Sequence, residues 1–329
     1  MTLDYVIGLN ASYRLACCQA IIIASAYSAV DAIASAKATH EQGSMMSVNV
    51  RLFNDTLPVE GRESIVFAHA NGYPPGSYRL MLTSLAENFN VYIFDHRPLW
   101  STGEAPTRLA WSAYASDLID GLEEAFDGPV WLCGHSMGAV VSVLCARRRP
   151  GLVKGLIALD PVLLPLGLWL AAQFVSRFLR KDLPICHVAL NRPHSFDSFD
   201  AAFKFYRAKK PFRNLADEAL WDYVRAGHRE TRQGDVELIW SGAWEACIYR
   251  SAPSVFGVLS RVKQPMLGIA GLSSDVLTAR RLKKWRRTVG QLEQHVLAGG
   301  HLVPLEKPEE CVVLITQYIG RHSRSDSSE

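Results

Sequence analysis

Val130-Trp131-Leu132-Cys133-Gly134-His135-Ser136-Met137-Gly138-Ala139-Val140-Val141 is the stretch that decides the fold. Its first four residues form a short apolar run, as expected of a strand buried on both faces, and residues 139–149 read as a helix. Between them lies Gly134-His135-Ser136-Met137-Gly138. A serine at a sharp strand-to-helix turn is forced into strained backbone geometry, and its neighbours two residues away crowd one another. Glycine at 134 and 138 removes the Cβ atoms that would collide. The turn lifts the Ser136 hydroxyl clear of the sheet, while the new helix directs its free N–H groups at any negative charge forming there.

Further strand-like segments follow at wide spacing. Residues 155–159 read as the next buried strand, ending at Asp160-Pro161. Residues 265–271 read as another and lead into Leu272-Ser273-Ser274-Asp275. A last strand over 291–297 runs into Gly299-Gly300-His301-Leu302-Val303-Pro304. Serine, acid and histidine thus occur in the chain order of one hydrolase architecture. From about residue 64 to about residue 320 the chain resembles the serine α/β-hydrolases, in a capped, esterase- and lipase-like branch. The resemblance implies an α/β fold with a mostly parallel central sheet and an inserted helical cap.

It also implies roles. Ser136 is the expected nucleophile towards an acyl carbon, and its hydroxyl needs a base within hydrogen-bond reach. The chain has ten histidines, and His301 is singled out by its position after the last strand. Asp275 is the expected acid that orients it, with Asp160 as the alternative because it too ends a strand. Oxyanion donors are expected at the amide of Met137 and in the loop His69-Ala70-Asn71-Gly72-Tyr73-Pro74-Pro75-Gly76, where Asn71 and Gly72 are the two candidates. This loop departs from the family's His-Gly pattern at Ala70 and Asn71. Asp95-His96-Arg97-Pro98-Leu99-Trp100-Ser101 resembles a second family loop without its glycines. His69, Tyr73, Trp100 and Trp169 are candidate pocket residues.

Residues 45–160 and 264–320 are expected to form the hydrolase core, and residues 161–263 the cap. In the cap, Leu166, Leu168, Trp169, Leu170, Phe174 and Phe178 crowd one segment, and residues 197–209 and 217–226 have amphipathic helical spacing. Such a surface suits a small to medium apolar acyl substrate and is compatible with a homodimer through the cap. Residues 321–329, polar and serine-rich, are expected to be disordered. Residues 1–44 read as a leader: translation from Met45 or Met46, or an unpacked extension, is preferred, and a signal peptide over 1–36 is the alternative, which would make the protein secreted.

At 329 residues and 49% hydrophobic content the chain can bury a large sheet. A net charge of +3 argues against nucleic acid as a partner. The seven cysteines are odd in number and scattered, without metal-ligand spacing, and read as reduced core thiols of a cytoplasmic protein. No metal set or phosphate-binding glycine loop is visible, so no cofactor is expected. The function expected is acyl-bond hydrolysis; the alternative is a non-catalytic binding or interaction protein on the same fold.

Overall fold

The structure, a computed structural model, describes residues 49–326 except 55, 56, 179 and 180. The leader, its alternative start sites and Cys17 and Cys18 lie outside the described residues. The first part of the core runs β1 (Val50–Leu52), β2 (Ser64–Ala68), α1 (Arg79–Ala86), β3 (Asn90–Phe94), α2 (Trp111–Ala125), β4 (Val130–His135), α3 (Met137–Arg148) and β5 (Val153–Leu159). An insertion follows, composed of α4 (Leu166–Arg177), α5 (Pro184–Leu190), β6 (Ser195–Phe196), α6 (Phe199–Arg207), α7 (Asp217–Gly227), β7 (His228–Glu230), β8 (Val236–Leu238), α8 (Gly242–Arg250) and α9 (Phe256–Leu259). The core resumes with β9 (Met266–Gly271), α10 (Ala279–Thr288), β10 (Leu292–Leu297), α11 (Val303–Glu306) and α12 (Pro308–Asp326).

Seven strands form one sheet in the order β1-β3-β2-β4-β5-β9-β10, parallel except for β1. Alternation along each strand sends side chains to two cores. Val66, Ala68 and Leu132 pack with Leu118 of α2 and Val140 of α3. Ile65, Phe67, Trp131 and Cys133 pack with Leu82 and Leu85 of α1 and Ile315 and Tyr318 of α12. Every residue of β4 is buried, which is why the strand shows no polar alternation in sequence.

Strand order positions the site. The chain passes from β2 outward to β3, then returns to β4 on the other side of β2. The loops leaving β2 and β4 therefore diverge at a switch point, at the carboxyl edge where ligands of open α/β sheets bind. The register pairs Ala68 with Gly134, His135 with Leu159, and Leu159 with Ile269. The loops after β2, β4, β5 and β9 consequently emerge side by side.

The insertion is mainly helical but also holds a small antiparallel sheet, β6-β8-β7, which the helical spacing of the sequence does not announce. Its aromatic stripe packs inward: Phe203 stacks on Trp221 at 4.4 Å, and Tyr206 lies edge-on to Tyr223 at 5.0 Å. Helix α4 does the opposite, leaving Leu166 58%, Phe174 54% and Phe178 just beyond it 76% exposed. The expectation of a disordered 321–329 tail is corrected through Asp326, to which α12 extends. Arg321 pairs with Glu293 at 2.7 Å and the Ser323 hydroxyl meets Glu63 at 3.0 Å, so tertiary contacts hold a segment whose composition alone would not order it.

Candidate active site

Ser136 sits between β4 and α3 with φ 54° and ψ −110°, a conformation L-residues avoid. The glycines beside it are sterically obligatory. A Cβ on Gly134 would lie 2.5 Å from the Ala139 nitrogen, and one on Gly138 would lie 2.0 Å from the Ala68 carbonyl oxygen. The Ser136 amide donates to the Leu159 carbonyl at 3.0 Å, tying the elbow to the neighbouring strand.

The Ser136 hydroxyl lies 3.0 Å from His301 Nε2, and His301 Nδ1 lies 2.7 Å from Asp160 Oδ1. The structure thus brings Asp160, the alternative acid, to His301, which corrects the preference for Asp275. Asp275 is exposed on the loop after β9, whereas Asp160 is fully buried. Two features turn Asp160 inward. Its backbone has φ 40°, and its amide donates to the Ile269 carbonyl at 2.7 Å, so the side chain leaves β5 towards the β9 loop.

The rest of the Asp160 carboxylate is occupied as well. Oδ2 accepts the Gly271 amide at 2.8 Å, and Oδ1 accepts the Ser274 hydroxyl at 2.6 Å. Ser274 Oγ in turn accepts the amides of Val276 and Leu277, at 3.2 Å and 3.0 Å. Such donors satisfy the buried carboxylate oxygens and fix their orientation. Ser274 was legible only as one of two serines before Asp275, and its role needs the structure. The histidine loop is anchored by the Gly300 amide donating to Glu306 at 2.9 Å and by the Ser273 amide and hydroxyl, both 2.9 Å from the Gly299 carbonyl.

Met137 opens α3, where helix geometry leaves the first amides without an intrahelical partner. In the loop after β2, the Ala70 amide is engaged by the Tyr78 hydroxyl at 3.2 Å and the Tyr73 amide by the Ala70 carbonyl at 3.2 Å. Asn71 and Gly72 lie between them, both buried, with Gly72 at φ 75°. The cap clasps this loop. Asn71 Nδ2 donates to the Glu245 carbonyl at 3.2 Å, and a Cβ on Gly72 would strike Glu245 Oε1 at 2.0 Å. Burial pushes the Glu245 carboxyl up to about 7, against the opposing pull of Arg192, whose Nη2 is 2.8 Å away. No motif in the sequence marks this pair: Arg192 lies in the turn after α5 and Glu245 within α8, and only packing brings them together.

Two candidate pocket residues have other work. His69 is fully buried, with Nδ1 donating to the Ala70 carbonyl at 3.0 Å and Nε2 facing the His96 amide at 3.4 Å. Burial lowers its pKa to about 4. Trp100 donates from Nε1 to the Asp95 carbonyl at 2.9 Å and lies under Arg97. The His69 expectation is corrected, since its ring is inaccessible; Trp100 is 37% exposed and its Nε1 holds the Asp95 loop. Tyr73 packs on Tyr223 at 5.0 Å, which joins the loop after β2 to the insertion, and Trp169 is half-buried on α4. Among the described residues no group of three or more His, Cys, Asp or Glu is arranged to hold a metal.

A serine, imidazole and buried carboxylate in series, on the edge of a parallel sheet in this strand order, is the setting of acyl-transfer chemistry. Residues 65–314 match the model of the alpha/beta hydrolase family. The chain belongs to that family. Membership places this alpha/beta hydrolase in the hydrolase class. It is 23% identical over 257 residues to 2-(acetamidomethylene)succinate hydrolase of Mesorhizobium japonicum, covering 78% of this chain and 87% of the relative. A crystal structure of E-2-(acetamidomethylene)succinate hydrolase superposes with a TM-score of 0.64 at 22% identity, over 78% of this chain and 91% of the other. An esterase of Mycobacterium tuberculosis does so with 0.65 at 18% identity, over 88% and 97%. No helix among the described residues is long and apolar enough to cross a membrane.

Proposed function

We propose that this alpha/beta hydrolase is a serine hydrolase that cleaves a carboxylic ester or related acyl bond through an acyl-enzyme. The observation that carries the reading is the series Ser136 Oγ, His301 Nε2 at 3.0 Å, His301 Nδ1 and Asp160 Oδ1 at 2.7 Å. Ser136 attacks the acyl carbon as its proton passes to His301 Nε2. Asp160 holds the Nδ1–H tautomer and stabilises the imidazolium. The tetrahedral oxyanion is received by the Met137 amide and by an amide of Asn71 or Gly72. His301 then protonates the leaving group, the bond breaks, and water activated by the same imidazole releases the acid.

The acyl group is proposed to be small to medium and apolar, a reading supported by the apolar cap sequence from Leu163 to Phe178. The five described cysteines that stay buried as free thiols support a cytoplasmic setting.

The test is covalent labelling by a fluorophosphonate probe, with the modified peptide located by mass spectrometry, beside turnover of p-nitrophenyl esters. Label on Ser136 and loss of turnover in Ser136→Ala, roughly a millionfold, are expected. More than a few per cent residual turnover in Ser136→Ala would sink the assignment.

A further inference from the structure

The residue before the nucleophile belongs to a buried hydrogen-bond chain that joins three loops of the site. His135 Nε2 lies 2.9 Å from the backbone carbonyl of His301, and its Nδ1 lies 2.7 Å from the Tyr78 hydroxyl. The Tyr78 oxygen accepts the Ala70 amide at 3.2 Å. A carbonyl can only accept, so Nε2 carries the hydrogen and Nδ1 is bare. The Tyr78 O–H therefore donates to Nδ1, leaving its oxygen free to receive the Ala70 N–H. Each donor along the line has one acceptor.

The three ends are specific. Ala70 begins the loop that holds Asn71 and Gly72, His135 precedes Ser136, and His301 is the proposed base. His135 and Tyr78 are essentially inaccessible to water, and the Tyr78 ring is fixed edge-on against Phe67 at 4.7 Å. The His135 and His301 rings lie 5.0 Å apart. Burial drives the His135 pKa well below its ordinary value, with the nearby His301 acting in the same direction. A neutral His135 adds no positive charge beside an imidazolium forming on His301.

We propose that His135 and Tyr78 are positioning residues: together they form a strut that fixes the His301 backbone relative to the elbow and the oxyanion loop. The proposal rests on the serine-hydrolase reading for its catalytic consequence, but not for the hydrogen bonds themselves. The loop it braces contains Gly299 and Gly300 and would otherwise depend on the Glu306 and Ser273 contacts. A displacement of about 1 Å in such a base costs on the order of a hundredfold in rate. The glutamine amide can place an N–H near the position of imidazole Nε2, whereas that of asparagine reaches only the Nδ1 position.

The experiment compares Tyr78→Phe, His135→Asn and His135→Gln with the parent in p-nitrophenyl ester turnover, and records ¹H–¹⁵N spectra of the histidine side chains of the full chain. Tyr78→Phe and His135→Asn are expected to lose about 100-fold in kcat with KM changed by no more than roughly threefold, and His135→Gln to recover most of that loss. In the parent spectrum His135 should appear as a neutral Nε2–H tautomer with a slowly exchanging proton, and Tyr78→Phe should shift the His301 ring signals. Parental kcat in folded Tyr78→Phe and His135→Asn would overturn the strut. So would an Nδ1–H tautomer for His135 in the parent, which decides the matter even if both variants fail to fold. A parent that neither reacts with fluorophosphonate nor turns over esters would remove the serine-hydrolase reading, and the response of the His301 signals to Tyr78→Phe would then decide the strut alone.

Discussion

Replacing Asp160 with asparagine probes the site most sharply, because the structure defines what each carboxylate oxygen does. Oδ2 receives the Gly271 amide at 2.8 Å, while Oδ1 receives Ser274 at 2.6 Å and His301 Nδ1 at 2.7 Å. An asparagine NH₂ at the Oδ2 position would face the Gly271 N–H, a donor against a donor. An NH₂ at the Oδ1 position would face Ser274, whose oxygen already accepts two amides, and would turn His301 to the tautomer with hydrogen on Nε2. The first orientation keeps the tautomer but loses the charge, and a hydrogen bond to a charged group is worth about 1.5–3 kcal/mol, or roughly 10- to 100-fold. The second costs about ten-thousandfold. Asp160→Asn is therefore expected to lower kcat by about 10–10⁴-fold under saturating ester, and to lower stability by about 1–3 kcal/mol for the mispaired buried donor. Asp275→Asn, on an exposed loop, should leave kcat within about threefold of the parent, since surface substitutions away from such features change little. Steady-state kinetics on both variants, with folding checked by thermal melts, decides it. A larger loss in Asp275→Asn than in Asp160→Asn would refute the reasoning.

Gly138→Ala should abolish activity or expression, because its Cβ would meet the backbone oxygens of Ala68 and His69; Gly128→Ala, with nothing within 4 Å, is the tolerated control, read by soluble yield and probe labelling. Acidification should destabilise the fold. His69, lowered to about 4, is neutral when folded and binds a proton at about 6.5 when unfolded, so stability is present above pH 6.5 and falls towards pH 4 by about 1.4 kcal/mol per pH unit. His96, His135 and His228, all lowered by burial, act in the same direction; Glu245, raised to about 7, opposes them, and Asp117, Asp120 and Asp222, raised by burial, oppose them towards the acid end. Urea midpoints that do not fall between pH 7 and pH 5 would contradict this. If the acyl chain enters an apolar cap, kcat/KM should rise from acetyl towards hexanoyl or octanoyl p-nitrophenyl esters, by up to roughly fourfold per methylene at about 0.8 kcal/mol each. A steady decline from acetyl onward, below each ester's solubility limit, would defeat that expectation.

Local sequence carries the fold and points to two members of the candidate site. Strand-length apolar runs, the two glycines around Ser136 and the glycine loop before His301 are signals that act within a few residues, because strand burial and turn sterics are local. The third member depended on tertiary structure. Asp160 and Asp275 both follow strands, and choosing between them requires knowing that β5 and β9 are neighbours, in a register that sets Leu159 opposite Ile269. It also requires the φ of 40° that turns Asp160 towards His301, which no periodicity records. The same limit applied at the surface. The aromatic stripe of the cap packs on itself while α4 faces outward, and polar residues 321–323 are ordered by Glu293 and Glu63. Composition states what a segment can bury or pair with. Only the packed chain supplies the partner, because burial and hydrogen bonding are properties of pairs that lie far apart in sequence.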